Sequence, residues 1–293
     1  KNTPEPYVLE KIIKRGYFIA DIFLEFDPKG KIKKNFNVKG SLGNLRLSLL
    51  KKYEIDKLNL KFDFNEKNLS LVDINLLLNN LKISSNKINI KEKDNIFFVD
   101  GVFENKNFEL DKNLNNLLSK NIYSNLNIDE INFSSKNKFS FELNKKLDFK
   151  NLFFISDIEL NNLIFKNNLE IKGFFPNIKN QINLNNHKLK IDYSKEKLMV
   201  EGSGEILLQK KSDSIKYTIN KKKNNVEFSS SLTIQENPIK IDLLNFKNRM
   251  NTKTLVKFNG EYNPKKKLIL ENISLSEEKN KIKIDNLDLD KNF

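Results

Sequence analysis

Strict two-residue alternation of apolar and polar side chains recurs from one end of this chain to the other. Leu58-Asn-Leu60-Lys-Phe62-Asp-Phe64 is the clearest stretch. Lys138-Phe139-Ser-Phe141-Glu-Leu143, Lys188-Leu189-Lys-Ile191-Asp-Tyr193 and Lys281-Ile282-Lys-Ile284-Asp285 repeat it. Successive side chains of a strand point to opposite faces, so each stretch has one apolar face and one Lys/Asn/Asp face. The same rhythm passes through Leu45/Leu47, Ile239/Ile241, Val256/Phe258 and Leu268/Leu270. Strand starts recur about every ten residues, the spacing of antiparallel meanders, which predicts on the order of twenty strands.

Two segments break the rhythm. Thr3 can cap a helix, Pro4 suits its first turn, and Val8, Leu9, Ile12 and Ile13 form one stripe ended by Gly16. Leu114, Leu117, Leu118 and Ile122 have helical spacing after Asp111. The predicted layout is an entry helix over 1–16, strands over 17–110, a short helix over 111–124 and strands over 125–293. No Pro/Ser/Gly tract marks a linker, so 1–293 reads as one elongated segment. Its Lys1 start suggests a piece of a longer chain. Turns are expected at Asp27-Pro28-Lys29-Gly30, Lys221–Asn225 and Asn263-Pro264-Lys265-Lys266. An apolar residue, any residue, then Gly recurs at Val38-Lys-Gly40, Val99-Asp-Gly101, Ile171-Lys-Gly173, Val200-Glu-Gly202 and Phe258-Asn-Gly260. In-strand glycines of this kind predict bulges or bends.

Composition narrows the chemistry. The 293 residues contain no Cys and one His, which excludes disulfides, thiolate chemistry and the usual zinc sites. That histidine, His187, reads as a solvated turn residue. Gly202-Ser-Gly204 lacks the third Gly of a dinucleotide fingerprint and leads into a strand. Asp129-Glu130 and Glu277-Glu278 fall at expected turns and carry no enzymatic signal. No catalytic residue, metal site or cofactor is predicted. The formal net charge is +14. Its lysines are spread between apolar positions, as on a solvated outer sheet face, and no nucleic-acid-binding motif accompanies them. No run reaches the roughly 18 apolar residues of a membrane helix.

Twenty strands would present roughly sixty inward apolar side chains, and at about 1.5–3 kcal/mol each such a face cannot stay wet. It can close on itself as a sandwich or barrel with a packed core. It can curl into a trough that carries apolar ligand. It can face lipid as a transmembrane barrel. The apparent strands, five to seven residues long, and the absence of Trp argue against the last. An acyl chain needs continuous apolar cover, at about 0.8 kcal/mol per CH₂. An unbroken apolar floor supplies it. The candidate lining comprises Leu45, Leu47, Leu58, Leu60, Phe62 and Phe64 in the first third, and Phe139 and Phe141 in the middle. Leu189, Ile191, Ile239, Ile241, Val256, Phe258, Leu268, Leu270, Ile282 and Ile284 complete it.

The Gly-punctuated alternating strands, the stretch from Thr3-Pro4 through Arg15-Gly16 into Phe18–Phe26, and Val38-Lys-Gly-Ser-Leu42 resemble the AsmA-like proteins of Gram-negative bacteria, including the TamB and YhdP groups. Leu268–Leu289 fits the same style. The resemblance implies an all-β, elongated, curled antiparallel sheet forming a taco-like hydrophobic groove. It implies a non-enzymatic, periplasmic, inner-membrane-anchored conduit that shields phospholipid acyl chains in transit. Contact with inner and outer membranes would then come through regions outside this segment. The positive charge would suit anionic head groups at the groove rim. The alternatives are a β-rich structural or adhesive surface protein with a packed core, and a β-jellyroll of the lipopolysaccharide-transport type.

Overall fold

The computed structural model describes residues 13–33, 35–49, 53–79, 81–109, 128–145, 148–167, 172–242, 245–249, 251–263 and 268–289. The first strands are β1 (Ile13–Phe23), β2 (Asn37–Leu49), β3 (Tyr53–Asn65), β4 (Asn68–Leu78), β5 (Leu81–Lys93) and β6 (Ile96–Glu109). β7 (Ile128–Asn144) and β8 (Phe149–Lys166) follow. Then come β9 (Gln181–Ser194), β10 (Lys197–Leu207), β11 (Asp213–Lys222) and β12 (Asn225–Ile234). β13 (Lys240–Ile241) and β14 (Phe246–Lys247) are two-residue strands, and β15 (Thr254–Tyr262), β16 (Leu268–Glu277) and β17 (Asn280–Leu289) end the series. All but β13 and β14 form one antiparallel sheet in chain order, with β1 and β17 at its edges. The fold is all-β and the sheet does not close. The chain divides into two compact units, Lys1–Phe108 with Ser135–Ile155, and Glu109–Ser134 with Ser156–Phe293.

The meander follows from short connections. Asp94 and Asn95 alone join β5 to β6, and both have positive φ, 53° and 61°. That pair of values marks a type I′ turn, whose twist matches the flanking strands. Asp27–Gly30 is the expected turn, closed by the Gly30 N–H donating to the Asp27 carbonyl at 2.9 Å. Lys223 and Asn224 turn β11 into β12 as expected. Pro264, Lys265 and Lys266 lie outside the described residues.

No α-helix occurs among the described residues. The predicted entry helix fails at its C-terminal end, because Ile13 and Arg15 pair with Leu47 and Arg46 in the sheet. Gly16 is not a helix stop. Its φ of +133° lies inside β1, and a Cβ there would come within 2.7 Å of the Leu45 side chain. The remainder of that prediction, residues 1–12, and the whole of 111–124 lie outside the described residues. So does Ile171 of the Ile171-Lys-Gly173 pattern.

The strands of the large sheet run 9–18 residues, about twice the predicted length, and their bulges explain the difference. Asn44 in β2, Lys57 in β3, Asp73 in β4, Asn186 in β9 and Asn286 in β17 all have φ between 46° and 56° inside a strand. Each inserts one residue and shifts the alternation by one, so a long strand reads in sequence as two short ones out of phase. In β4, Leu69 and Leu71 share a phase; beyond Asp73 it passes to Ile74 and Leu76. Asn and Asp tolerate the left-handed region best among residues with a side chain.

Candidate functional site

In the first unit the apolar face centres on Leu45, Leu58, Leu60 and Ile74, which are buried against one another. Register brings the predicted residues together. Leu45 pairs with Leu58, Gly40 with Phe62, and Val38 with Phe64. Leu47 and Phe62 are half-buried against the same cluster. Phe18 of the edge strand stacks on Phe62 with ring centroids 5.4 Å apart. Phe139 and Phe141 join a second aromatic group: Phe103 lies 5.8 Å from Phe139, and Phe141 lies 4.2 Å from Phe149.

The floor of this unit is not unbroken. Ser85 pairs with Ile74 on the opposite strand, and Asn105 with Ile83, so both hold places on the apolar face. Ser135 donates to the Asn105 side-chain oxygen, and Asn137 donates to the Ser135 hydroxyl at 2.7 Å. All four residues are buried. This polar belt keeps the phase of Phe103 and Phe139 and was visible in the sequence as polar residues at inward positions. It corrects the expectation of continuous grease.

In the second unit, register lays inward side chains in rows across the strands. The first row holds Ile206, Asp213, Ile234, Thr254 and Glu277. The next runs Ile215, Leu232, Val256, Leu275 and Ile282. A third runs Leu189, Gly202, Tyr217, Ser230, Phe258, Ile273 and Ile284. A fourth holds Ile191, Val200, Ile219, Phe228, Gly260, Leu270 and Leu287. Leu268 sits beyond it, paired with Tyr262.

A strap covers the first two rows. Ile239, Ile241 and Phe246 pack onto Ile182, Ile206, Leu208, Leu232, Ile234 and Leu275. Ile239 and Ile241 therefore lie on top of the sheet as its cover, outside the fifteen strands, although their alternation reads like a floor strand. The strap's polar backbone is satisfied by buried side chains. Asn248 accepts from the Ile239 N–H at 2.7 Å and donates to the Asn237 carbonyl at 2.9 Å. Asn237 donates to the Lys211 carbonyl and to the Asp213 carboxylate, both at 2.7 Å. Gln209 donates to the Pro238 carbonyl at 2.9 Å, and Glu277 accepts from the Arg249 N–H at 2.8 Å. Burial pushes the Asp213 carboxyl up to about 6, against the pull of the Asn237 hydrogen bond. Away from the strap exposure rises: Ile234 is 0% exposed, Phe258 37%, Ile284 39% and Tyr262 45%.

Gly260 lies at a register irregularity between β15 and β16, as an in-strand glycine is expected to, but most of the glycines have a second role. None of the glycines within β2, β6, β10 and β15 has positive φ. All but Gly260, which faces the Ile269–Leu270 backbone, leave room for rings from the neighbouring strand, the cross-strand Gly–aromatic packing that lends a bare glycine cover. A Cβ on Gly40 would meet Phe62 at 2.7 Å, one on Gly202 would meet Tyr217 at 2.3 Å, and one on Gly204 would meet His187 at 2.5 Å. His187 is thus no turn residue. It lies within β9, is 1% exposed, and its ring sits 5.6 Å from that of Tyr217. Neither ring nitrogen has a well-formed hydrogen bond among the described residues. Burial lowers its pKa, and the nearby Glu205 backbone only partly opposes this. Its place was signalled by phase: beyond Asn186, His187 alternates with Leu189 and Ile191.

Of the acidic pairs expected at turns, only Glu278 lies in one, between β16 and β17. Asp129 and Glu130 lie in β7, accepting from Gln181 and Asn162, and Glu277 is buried under the strap. The opposite face of the sheet is a ladder of cations and acids, including Lys61 with Asp73 at 2.8 Å and Lys39 with Asp63 at 3.3 Å. No cluster of three or more metal-ligating His, Cys, Asp or Glu side chains occurs among the described residues. No helix among the described residues is long and apolar enough to cross a membrane. Comparison with protein families, with characterised proteins and with solved structures finds no match for the chain.

Proposed function

We propose that the chain is a non-enzymatic lipid-conduit segment of the AsmA-like kind, and that its apolar sheet face shields phospholipid acyl chains. The observation that carries this reading is the exposure gradient in the second unit. Of its four rows, the first two lie under the strap, and the next two, apolar apart from Ser230 and the Tyr217 hydroxyl, are a third or more exposed at Phe258 and, on β17, at Ile284 and Leu287. Water is a poor neighbour for such rows, and acyl chains lying along them would recover about 25 cal/mol per Å² of apolar surface. On this reading the sheet curls into a taco-like groove. The setting is the periplasm, with the inner and outer membranes reached through other regions of the protein. The Lys/Asn/Asp face is then the solvated outside.

The long strands remove one argument against a membrane barrel, since they match the lengths such barrels use. The strap replaces it, because it gathers Gln209, Asn237, Asn248 and Glu277 on the apolar side of the sheet, the side a membrane barrel turns to lipid. A second reading, a β-rich structural or adhesive protein with a packed core, is favoured by the buried strap and by the Asn105–Ser135–Asn137 belt. Native mass spectrometry and lipid extraction of the purified chain separate the two. Stoichiometric phospholipid is expected, and a lipid-free protein would refute the conduit.

A further inference from the structure

We propose that the strap between β12 and β15 is a pH-released cover: it lifts from the first two rows as pH rises, and the Asp213 carboxylate is its latch. The large sheet is complete without the strap. Ile234 pairs directly with Thr254, and β12 and β15 keep register from there to Val226 and Tyr262. β13 and β14 pair only with each other, so the strap carries its own short ladder. Lifting it therefore breaks no hydrogen bond between strands of the large sheet. What holds it down is an apolar underside and a few polar tethers. The underside is Ile239, Ile241 and Phe246. The Lys240 N–H donates to the Phe174 carbonyl at 3.1 Å, and the Arg249 N–H to Glu277 at 2.8 Å. Asn237 holds the other end: it donates to the Lys211 carbonyl and to Asp213, and accepts the Lys211 N–H at 3.1 Å. A unit tied only by side chains and a few loop contacts opens at a lower free energy than the sheet beneath it.

Asp213 makes the closure conditional. It is buried and makes no ion pair among the described residues. Its row neighbours Ile206 and Ile234 are apolar. Glu236, the charged group beside it on the strap side, repels it, and the Lys211 ammonium lies 3.6 Å from Glu236 instead. Glu277 closes the far end of the same row, with Ile234 and Thr254 between. His187 lies on β9, with β10 between it and β11, and its lowered pKa acts in the opposite direction. Burial outweighs the hydrogen bonds from Asn237 and the Gln235 N–H, so the acid sits at about 6. Lifting the strap returns water to the carboxylate and its pKa toward the ordinary 3.8. The closed form thus holds the proton more tightly. Opening releases it, and is favoured as pH rises between those two values and levels off above the upper one. An Asn at this position would accept the same Asn237 bond with no charge to bury. The inference stands on the cover and not on what the open rows carry, so it goes beyond the conduit reading.

Amide hydrogen exchange on the whole chain, corrected for the intrinsic rate at each pH, reads the opening. The N–H groups of Lys211, Lys240 and Arg249 report on the strap, because each bonds across its junction with the rest of the unit. The amides of β11 and β12 report on the sheet. The strap amides should exchange through a cheaper opening than the sheet amides. That opening should become about tenfold more populated from pH 5 to pH 7.5 and change little above pH 7. Asp213→Asn should abolish the rise and leave the strap as closed at pH 7.5 as at pH 5. Glu236→Gln, an exposed change beside the latch, should keep most of it. A wild-type opening that is flat or falls from pH 5 to pH 7.5 overturns the proposal without any variant. So do strap amides that exchange only with the sheet, or a rise that survives Asp213→Asn. None of these readouts depends on lipid content, so this proposal and the conduit reading fail separately.

Discussion

The decisive perturbation is one negative charge placed at two points on the same apolar face. Ile234 lies under the strap and is 0% exposed; Phe258 lies in the third row and is 37% exposed. Ile234→Asp removes a fully buried side chain, worth about 2–5 kcal/mol with the cavity it leaves. It also buries a carboxylate without a designed partner, which adds several kcal/mol through desolvation or a raised pKa. The sum approaches the 5–15 kcal/mol that hold a typical domain together. Phe258→Asp forfeits about two-thirds of a Phe burial term, roughly 1–2 kcal/mol, and its carboxylate can reach water. Urea denaturation followed by circular dichroism should therefore show Ile234→Asp largely unfolded and Phe258→Asp folded with a modestly lower midpoint. Phospholipid quantified after extraction should fall sharply in Phe258→Asp. If Phe258→Asp unfolds as completely as Ile234→Asp, a packed core reaches the third row and the open-floor argument is wrong. If it folds and keeps its lipid, the floor is not where lipid sits.

Three further expectations concern the second unit. An acid held at about 6, above its ordinary 3.8, weakens the fold as pH rises between those values, and the loss is complete above the upper one. Asp213→Asn should thus raise stability at pH 7.5 by up to about 3 kcal/mol, and by little near pH 3, as read from urea midpoints. His187 has the opposite sign. Its pKa is depressed below 6.5, so its contribution is present above that value and is lost as pH falls below it. In an Asp213→Asn background, His187→Phe should flatten the decline in melting temperature between pH 7.5 and 5; an unchanged slope would assign the decline elsewhere. Gly202→Val drives a side chain into the Tyr217 ring and should cost about 1–3 kcal/mol. Adding Tyr217→Ala should recover part of that, whereas strictly additive losses would count against ring-over-glycine packing.

Much of this architecture was legible locally. Alternation over Leu58–Phe64 and its repeats specified strands, because a period of two has only one regular backbone solution. Two-residue polar connections such as Asp94-Asn95 specified antiparallel neighbours in chain order. Even the bulges were written in the chain. Where apolar positions change phase, at Asn44, Asp73 or Asn186, the residue at the slip is one that accepts positive φ. Reading each slip as a strand end produced too many strands, each too short. The role assigned to glycine matches the irregularity at Gly260 and was incomplete elsewhere for a different reason. Whether Gly202 bends a strand or seats a ring depends on Tyr217, fifteen residues away and one strand over.

What the sequence alone determined is therefore the element type, the sidedness of each strand and the meander, all of which depend on neighbours a few residues apart. The tertiary structure decided which apolar stretches are floor and which are cover. Ile239 and Ile241 alternate like any strand, but the hydrogen bonds that place them belong to Asn248 and to residues across the sheet. It decided that His187 is buried and that Asp213 is held near neutrality, since burial is a property of what lies above a side chain. It also decided that β1 is an edge. A sequence states the alternation of Tyr17–Phe23; only the pairing of strands places Tyr17, Ile19, Asp21 and Phe23 on the outer face and Phe18, Ala20 and Ile22 on the side of Phe62.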